Sequence, residues 1–210
     1  MVKPHATLDE LALLYSNLME EIKRRVDVIQ RAANGQLQIP PMASFELCYL
    51  QLRKVCEVFA LACLCAHREI PEVRSKSLEK TYNVDQIIKR LSDLHPDFYP
   101  VPTIQVLDPV TSRVVRTVRV ESGFLTKDDL LKLYGECGNY LHRGSVRQLL
   151  TKWEPSIDFG QIKGWLAKIV QLLGHHEIKI SQSDKSLFIF MSGKNDGKVH
   201  WAIMQQVSKV

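Results

Sequence analysis

The chain has 210 residues, 45% hydrophobic and 24% charged, with 28 Lys and Arg against 23 Asp and Glu for a net charge of +5. That balance fits one large or two small globular domains with a real core, and it excludes a disordered chain, a collagen-like repeat and a coiled-coil rod. The modest positive excess permits a polyanionic partner without demanding one.

The first element in the chain announces itself clearly. Thr7-Leu8-Asp9-Glu10 is a capping box, with Thr7 as N-cap and Glu10 at N3. Leu11, Leu14, Leu18, Ile22, Val26 and Ile29 then recur at helical spacing, which predicts a long helix with one apolar face, ending near Asn34-Gly35. After the Ile39-Pro40-Pro41 linker a second helix is predicted, capped at Ser44 and running to His67. Its only charges are Glu46, Arg53, Lys54 and Glu57. Phe45, Cys48, Leu52, Val55, Phe59, Ala62 and Ala66 form one stripe, while Leu47, Leu50, Leu61 and Leu64 fill other faces. A helix apolar nearly all round belongs at the centre of a bundle, with Glu46, Arg53 and Glu57 as one polar stripe.

Pro71 to Tyr82 reads as a short helix or loop, and Asn83 caps a helix through Leu94 that His95-Pro96 ends. Two strands, Thr103–Leu107 and Arg113–Val120, flank a turn at Asp108-Pro109-Val110-Thr111-Ser112, a hairpin inserted between helices over about 100–122. Thr126-Lys127-Asp128-Asp129 opens the next helix, which runs to about Arg143 before Gly144, with a short helical turn within Ser145–Trp153. A last helix spans about Ile157 to Leu173 and stops at Gly174. The periodicity then changes from helical to alternating: Glu177–Ser181, Leu187–Ser192 and Val199–Gln205 read as three antiparallel strands. The expected fold is mainly α, a helical bundle (1–175) with an inserted hairpin and a C-terminal antiparallel β-meander (176–210), α+β overall.

No window approaches the roughly 18 uncharged apolar residues of a membrane span, and Asp9 and Glu10 interrupt the N-terminus before any apolar leader forms. With no export signal, the five cysteines (Cys48, Cys56, Cys63, Cys65 and Cys137) read as reduced, buried thiols of a cytoplasmic protein. Cys56, Cys63 and His67 make a partial metal set that lacks a fourth ligand and the CxxC spacing of zinc sites, so no metal is expected. Walker-type, G-x-G-x-x-G, H-E-x-x-H and G-x-S-x-G motifs are absent, and no cofactor is expected.

One segment carries a functional signal. In the helix over 130–144, Leu130, Leu133, Tyr134, Cys137 and Leu141 form the apolar face, while Gly135, Gly138, Asn139 and His142 lie on its flank. Each interior glycine costs a helix about 1 kcal/mol relative to alanine, which points to close packing of a backbone or ligand beside Gly135 and Gly138. Asn139 and His142 are neighbours one turn apart. His142 is a candidate acid or base near neutral pH. The pair can equally cap the helix end, where the dipole favours a histidine.

Gly138-Asn139-Tyr140-Leu141-His142, late in a helix that follows a core helix bearing Arg53-x-x-x-Glu57, resembles the HEPN superfamily. The resemblance covers the helices over about 7–175 without the hairpin. It implies a helical bundle, commonly a homodimer, of a kind found in bacterial toxin and antiphage systems and in RNA processing. Many such proteins are metal-independent endoribonucleases with an Arg several residues before the His. Here Gly135, Glu136 and Cys137 stand where that Arg belongs, and none of them can stabilise a phosphate transition state. Arg53 from the central helix, oriented by Glu57, is the candidate substitute.

Two acid-free basic stretches complete the inventory: Arg143, Arg147 and Lys152 after His142, and Arg113, Arg116 and Arg119 in the hairpin. By alternation, Arg113 and Arg119 share one strand face and Arg116 takes the other. Together they are candidate phosphate contacts. The sequence therefore implies a HEPN-like module that binds a protein, nucleotide or RNA without cutting it. The alternatives are an active ribonuclease using His142, and a purely structural or regulatory dimer.

Overall fold

The computed structural model describes residues 6–142, 156–180 and 184–205. Within them the order is α1 (Leu8–Ala33), α2 (Pro41–Ala66), a 3-10 turn (Pro71–Arg74), α3 (Lys76–Lys80), α4 (Val84–Leu94), β1 (Val101–Leu107), β2 (Val114–Arg119), α5 (Lys127–Leu141), α6 (Phe159–Leu173), β3 (His175–Lys179), β4 (Lys185–Phe190) and β5 (His200–Gln205). The fold is α+β, with helices dominating the N-terminal part and strands the C-terminal part. The turn expected within Ser145–Trp153 lies outside the described residues.

The helix ends follow the cap chemistry. Thr7 Oγ1 accepts from the Glu10 N–H and the Glu10 carboxylate accepts from the Thr7 N–H, a reciprocal pair that opens α1. Thr126 and Asp129 repeat this box at α5, Asn83 caps α4, and Asp158 caps α6. α2 departs from expectation: it starts at Pro41, where a missing N–H costs the helix nothing. Ser44 is therefore not its cap. It is buried and donates to the Ala32 carbonyl at 2.9 Å, satisfying the C-terminal end of α1.

α2 packs against α1, α4, α5 and α6, as a helix with apolar residues on most faces must. Phe45, Cys48, Tyr49, Leu52, Cys56, Phe59, Ala60, Ala62 and Cys63 are all within 1% of full burial, although Leu50 and Leu61 reach the surface. On α1 the core stripe runs through Leu11, Tyr15, Met19, Ile22 and Ile29, and Leu14 is left 44% exposed. Leu11, Ile22 and Ile29 keep their expected places, while Tyr15 and Met19 take the core positions expected of Leu14 and Leu18.

The hairpin and the C-terminal strands form a single antiparallel sheet in the order β2-β1-β3-β4-β5, joined where Val101 and Pro102 pair with Glu177 and His176. His176, Ile178, Leu187 and Ile189 line its covered face. The His176 ring clamps three elements there. Its Nδ1–H donates to the Leu173 carbonyl at 3.0 Å, and its Nε2 accepts from the Tyr15 hydroxyl at 2.9 Å. Lys23 of α1 donates to the Met191 and Gly197 carbonyls, and Glu20 accepts from the Val199 N–H.

Beyond Thr103 the hairpin leaves the helices behind. All six residues of β2 are exposed, as are Ile104, Leu107 and Val110. The ladder carries a bulge: Val106 pairs with Arg116 but Leu107 pairs with Val114, leaving Val115 extra. Past the bulge, the Asp108 N–H bonds the Arg113 carbonyl. This corrects the side-chain alternation. Directly opposed residues share a face, so Arg113 and Arg116 lie with Ile104 and Val106, and Arg119 lies opposite, with Thr103.

Candidate functional site

α5 places its polar flank against the middle of α2. The Arg53 guanidinium lies over the Tyr134 ring, 4.6 Å from its centroid, and Nη2 donates to the Tyr134 hydroxyl at 3.0 Å. Nε donates to Glu57 Oε1 at 3.2 Å, and the other Glu57 oxygen accepts from Lys54 at 2.8 Å. A Cβ built on Gly138 would stand 3.5 Å from Arg53 Nη1. Arg53 therefore reaches α5 one turn before His142, whose own N–H bonds the Gly138 carbonyl at 3.1 Å. The expected pair of Arg53 and Glu57 forms, and the structure brings both to the flank that Gly138 opens.

The two glycines separate here. No described atom lies within 4 Å of a Cβ on Gly135, so the close approach expected there is absent. Its surroundings are solvent, where alanine would simply be a better helix former. Asn139 and His142 are both exposed, and His142 is the C-cap residue of α5. Among the described residues, neither side chain has a hydrogen-bond partner.

Glu136, one of the three residues standing where the motif Arg belongs, has an architectural contact set. It accepts from the Trp165 indole at 3.0 Å and from Gln161 at 3.2 Å, and Gln161 in turn accepts from the Tyr49 hydroxyl at 3.1 Å. Tyr49 stacks on Tyr140 at 4.2 Å, with Phe45 edge-on to both. Burial, with Tyr140 and Glu136 nearby, pushes the Tyr49 hydroxyl pKa up. This chain ties α5 to α2 and α6 through satisfied polar groups. A glutamate three residues before an exposed asparagine gave no sequence signal of that role.

Four of the five cysteines and His67 are buried. Burial pushes the thiols up, Cys48 to about 11 and Cys137 to about 12, so none of them is a ready nucleophile. His67 Nδ1 lies 2.8 Å from the Cys63 carbonyl and Nε2 lies 3.2 Å from the Lys179 carbonyl. Two facing carbonyls favour a protonated ring, but burial outweighs them and holds the pKa down at about 4. With both nitrogens so placed, His67 does not join Cys56 and Cys63 as a ligand set. No group of three metal-holding side chains occurs among the described residues.

Of the basic candidates, Arg143, Arg147 and Lys152 lie outside the described residues. Arg119 pairs with Glu177 at 3.6 Å beside an open groove of about 810 Å³ lined also by His95, Lys179, Phe188 and Met204. Arg113 and Arg116 have no acidic partner among the described residues. β1 packs on β3 and α6, whereas α5 packs on α2 and α4. The two candidate regions thus hang from different neighbours. No helix of the described residues is long and apolar enough to cross a membrane. Comparison with protein-family models, curated proteins and solved structures finds no match for this chain.

Proposed function

We propose that this protein is a HEPN-like binding module that does not cleave RNA, acting through the α2–α5 flank formed by Arg53, Tyr134, Gly138, Asn139 and His142. The observation that carries this reading is the engagement of Arg53. Its guanidinium already has an ion pair with Glu57, a hydrogen bond to Tyr134 and an aromatic face beneath it. A group stabilising a phosphoryl transition state must present preorganised, uncommitted charge to the substrate. Here a carboxylate neutralises that charge, and the exposed Asn139 and His142 remain as recognition groups.

A ribonuclease is the second reading. It is favoured by the reach of Arg53 to Gly138, one turn from His142. Incubating the purified protein with mixed RNA, beside His142→Ala and Arg53→Ala, separates the two. The binding reading expects no cleavage by any of the three. Cleavage lost in both variants would replace it with the enzyme. Light scattering tests the accompanying homodimer, and a monomer at micromolar concentration would remove it.

A further inference from the structure

β2 is an outer strand of the five-stranded sheet, paired with β1 alone among the described strands, and all six of its residues are exposed. The ladder shows which groups point outward. The Val120 N–H bonds the Pro102 carbonyl and the Asp108 N–H bonds the Arg113 carbonyl. By antiparallel alternation Val118 and Arg116 then face β1, so Thr117 and Arg119 present their N–H and C=O groups to the outside. Exposed strand edges of this kind are templates for another strand, and proteins normally blunt them.

The side chains along this edge have a definite chemistry. Val114, Val115 and Val118 are between 43% and 65% exposed, and Ile104 beside them is 57% exposed. Arg113, Arg116 and Arg119 interleave with these residues, and β2 contains no acid. Of the flanking carboxylates, Glu121 follows Arg119 by two residues and has no ion pair among the described residues, while Asp108 is committed to the hairpin loop, accepting from the Val110 and Thr111 N–H groups and the Thr111 hydroxyl. Arg113 and Arg116 therefore have no carboxylate partner among the described residues.

We propose that β2 docks an extended acidic segment of a partner protein as a sixth strand, main-chain bonds to Thr117 and Arg119 fixing it and its carboxylates meeting Arg113 and Arg116. Strand addition takes affinity from the backbone edge and specificity from alternate side chains. A nucleic acid would use the arginines but neither the backbone edge nor the exposed valines and Ile104. A second copy of β2 would bring two further sets of arginines along one short ladder, and like charges on facing strands repel. The proposal deepens the binding reading given above but stands on β2 alone. Peptide binding tests it whether or not RNA is cut.

The probe is a short fluorescent peptide alternating valine and glutamate, with a valine–lysine peptide and an oligouridine as comparators. Binding is read by anisotropy, and backbone protection by hydrogen exchange. The acidic peptide is expected to bind and to slow exchange at the Thr117 and Arg119 amides, and the lysine peptide to be ignored. Arg116→Glu should weaken binding at least about tenfold, the order expected for reversing a rim charge. Thr117→Pro removes an outward N–H that no described group uses, a change edge strands accept. It should abolish binding with the net charge unchanged. If its melting temperature falls, the Arg116→Glu result decides. The proposal is overturned if the acidic peptide does not bind, or binds without protecting Thr117 and Arg119. It is overturned equally if oligouridine binds with the same arginine dependence while the peptide does not, or if the chain alone forms a dimer that protects these amides.

Discussion

The two halves of the sheet alternate apolar and polar residues in the same way and meet opposite fates. In β3 and β4, Ile178, Leu187 and Ile189 are at most 2% exposed under α1 and α6. In β1 and β2, Ile104 and Val118 stand on the same face of the same sheet and are 57% and 43% exposed. Alternation specifies which face a residue takes. Whether anything covers that face depends on where the helices end.

The comparison can be broken first by acid. His67 and His176 are both buried, and burial holds each pKa down at about 4. Because the folded pKa is depressed, the unfolded chain takes up protons first as pH falls below about 6.5. Stability is then full above that pH and is lost between it and about 4, on the order of 3 kcal/mol for each ring. Denaturant midpoints against pH should show this slope, and a flat profile would place both rings in water. Ile189→Ala, on the same covered face, should cost about 3 kcal/mol through the cavity it leaves. Ile104→Ala in the arm should cost less than about 0.5 kcal/mol. Equal losses in chemical denaturation would mean that the arm is covered after all.

Smaller effects sharpen the picture. Tyr15→Phe removes the donor to His176 Nε2 and leaves a buried acceptor unpaired, which should cost about 1–2 kcal/mol in the same assay. Gly135→Ala should stabilise the protein by up to about 1 kcal/mol, since only solvent would meet the new methyl. A destabilising Gly135→Ala would restore the close packing that the flank of α5 first suggested.

The candidate site was legible in part. The spacing of Arg53 and Glu57 foretold their ion pair, and Gly138 proved to be the glycine beside a neighbour. Nothing local distinguished Gly138 from Gly135, because what approaches a helix is a property of the element packed against it. The hairpin arginines were misassigned between faces because one extra residue, Val115, resets the alternation after it. A bulge is a feature of pairing with β1, not of β2 alone.

The sequence by itself determined the elements: the capping box at Thr7, the start of α5 at Thr126, the central place of α2, the change from helical to alternating period after Gly174, and the α+β class. These rest on local hydrogen bonds and on apolar spacing, which act over a few residues. Only the tertiary structure decided that the hairpin and the C-terminal strands share one sheet, that Ser44 closes α1, and that Glu136 braces α6. It alone set Arg53 beside Gly138 and left β2 as an exposed outer strand among the described residues. Each of those depends on groups far apart in the chain, brought together only when the core closes around α2.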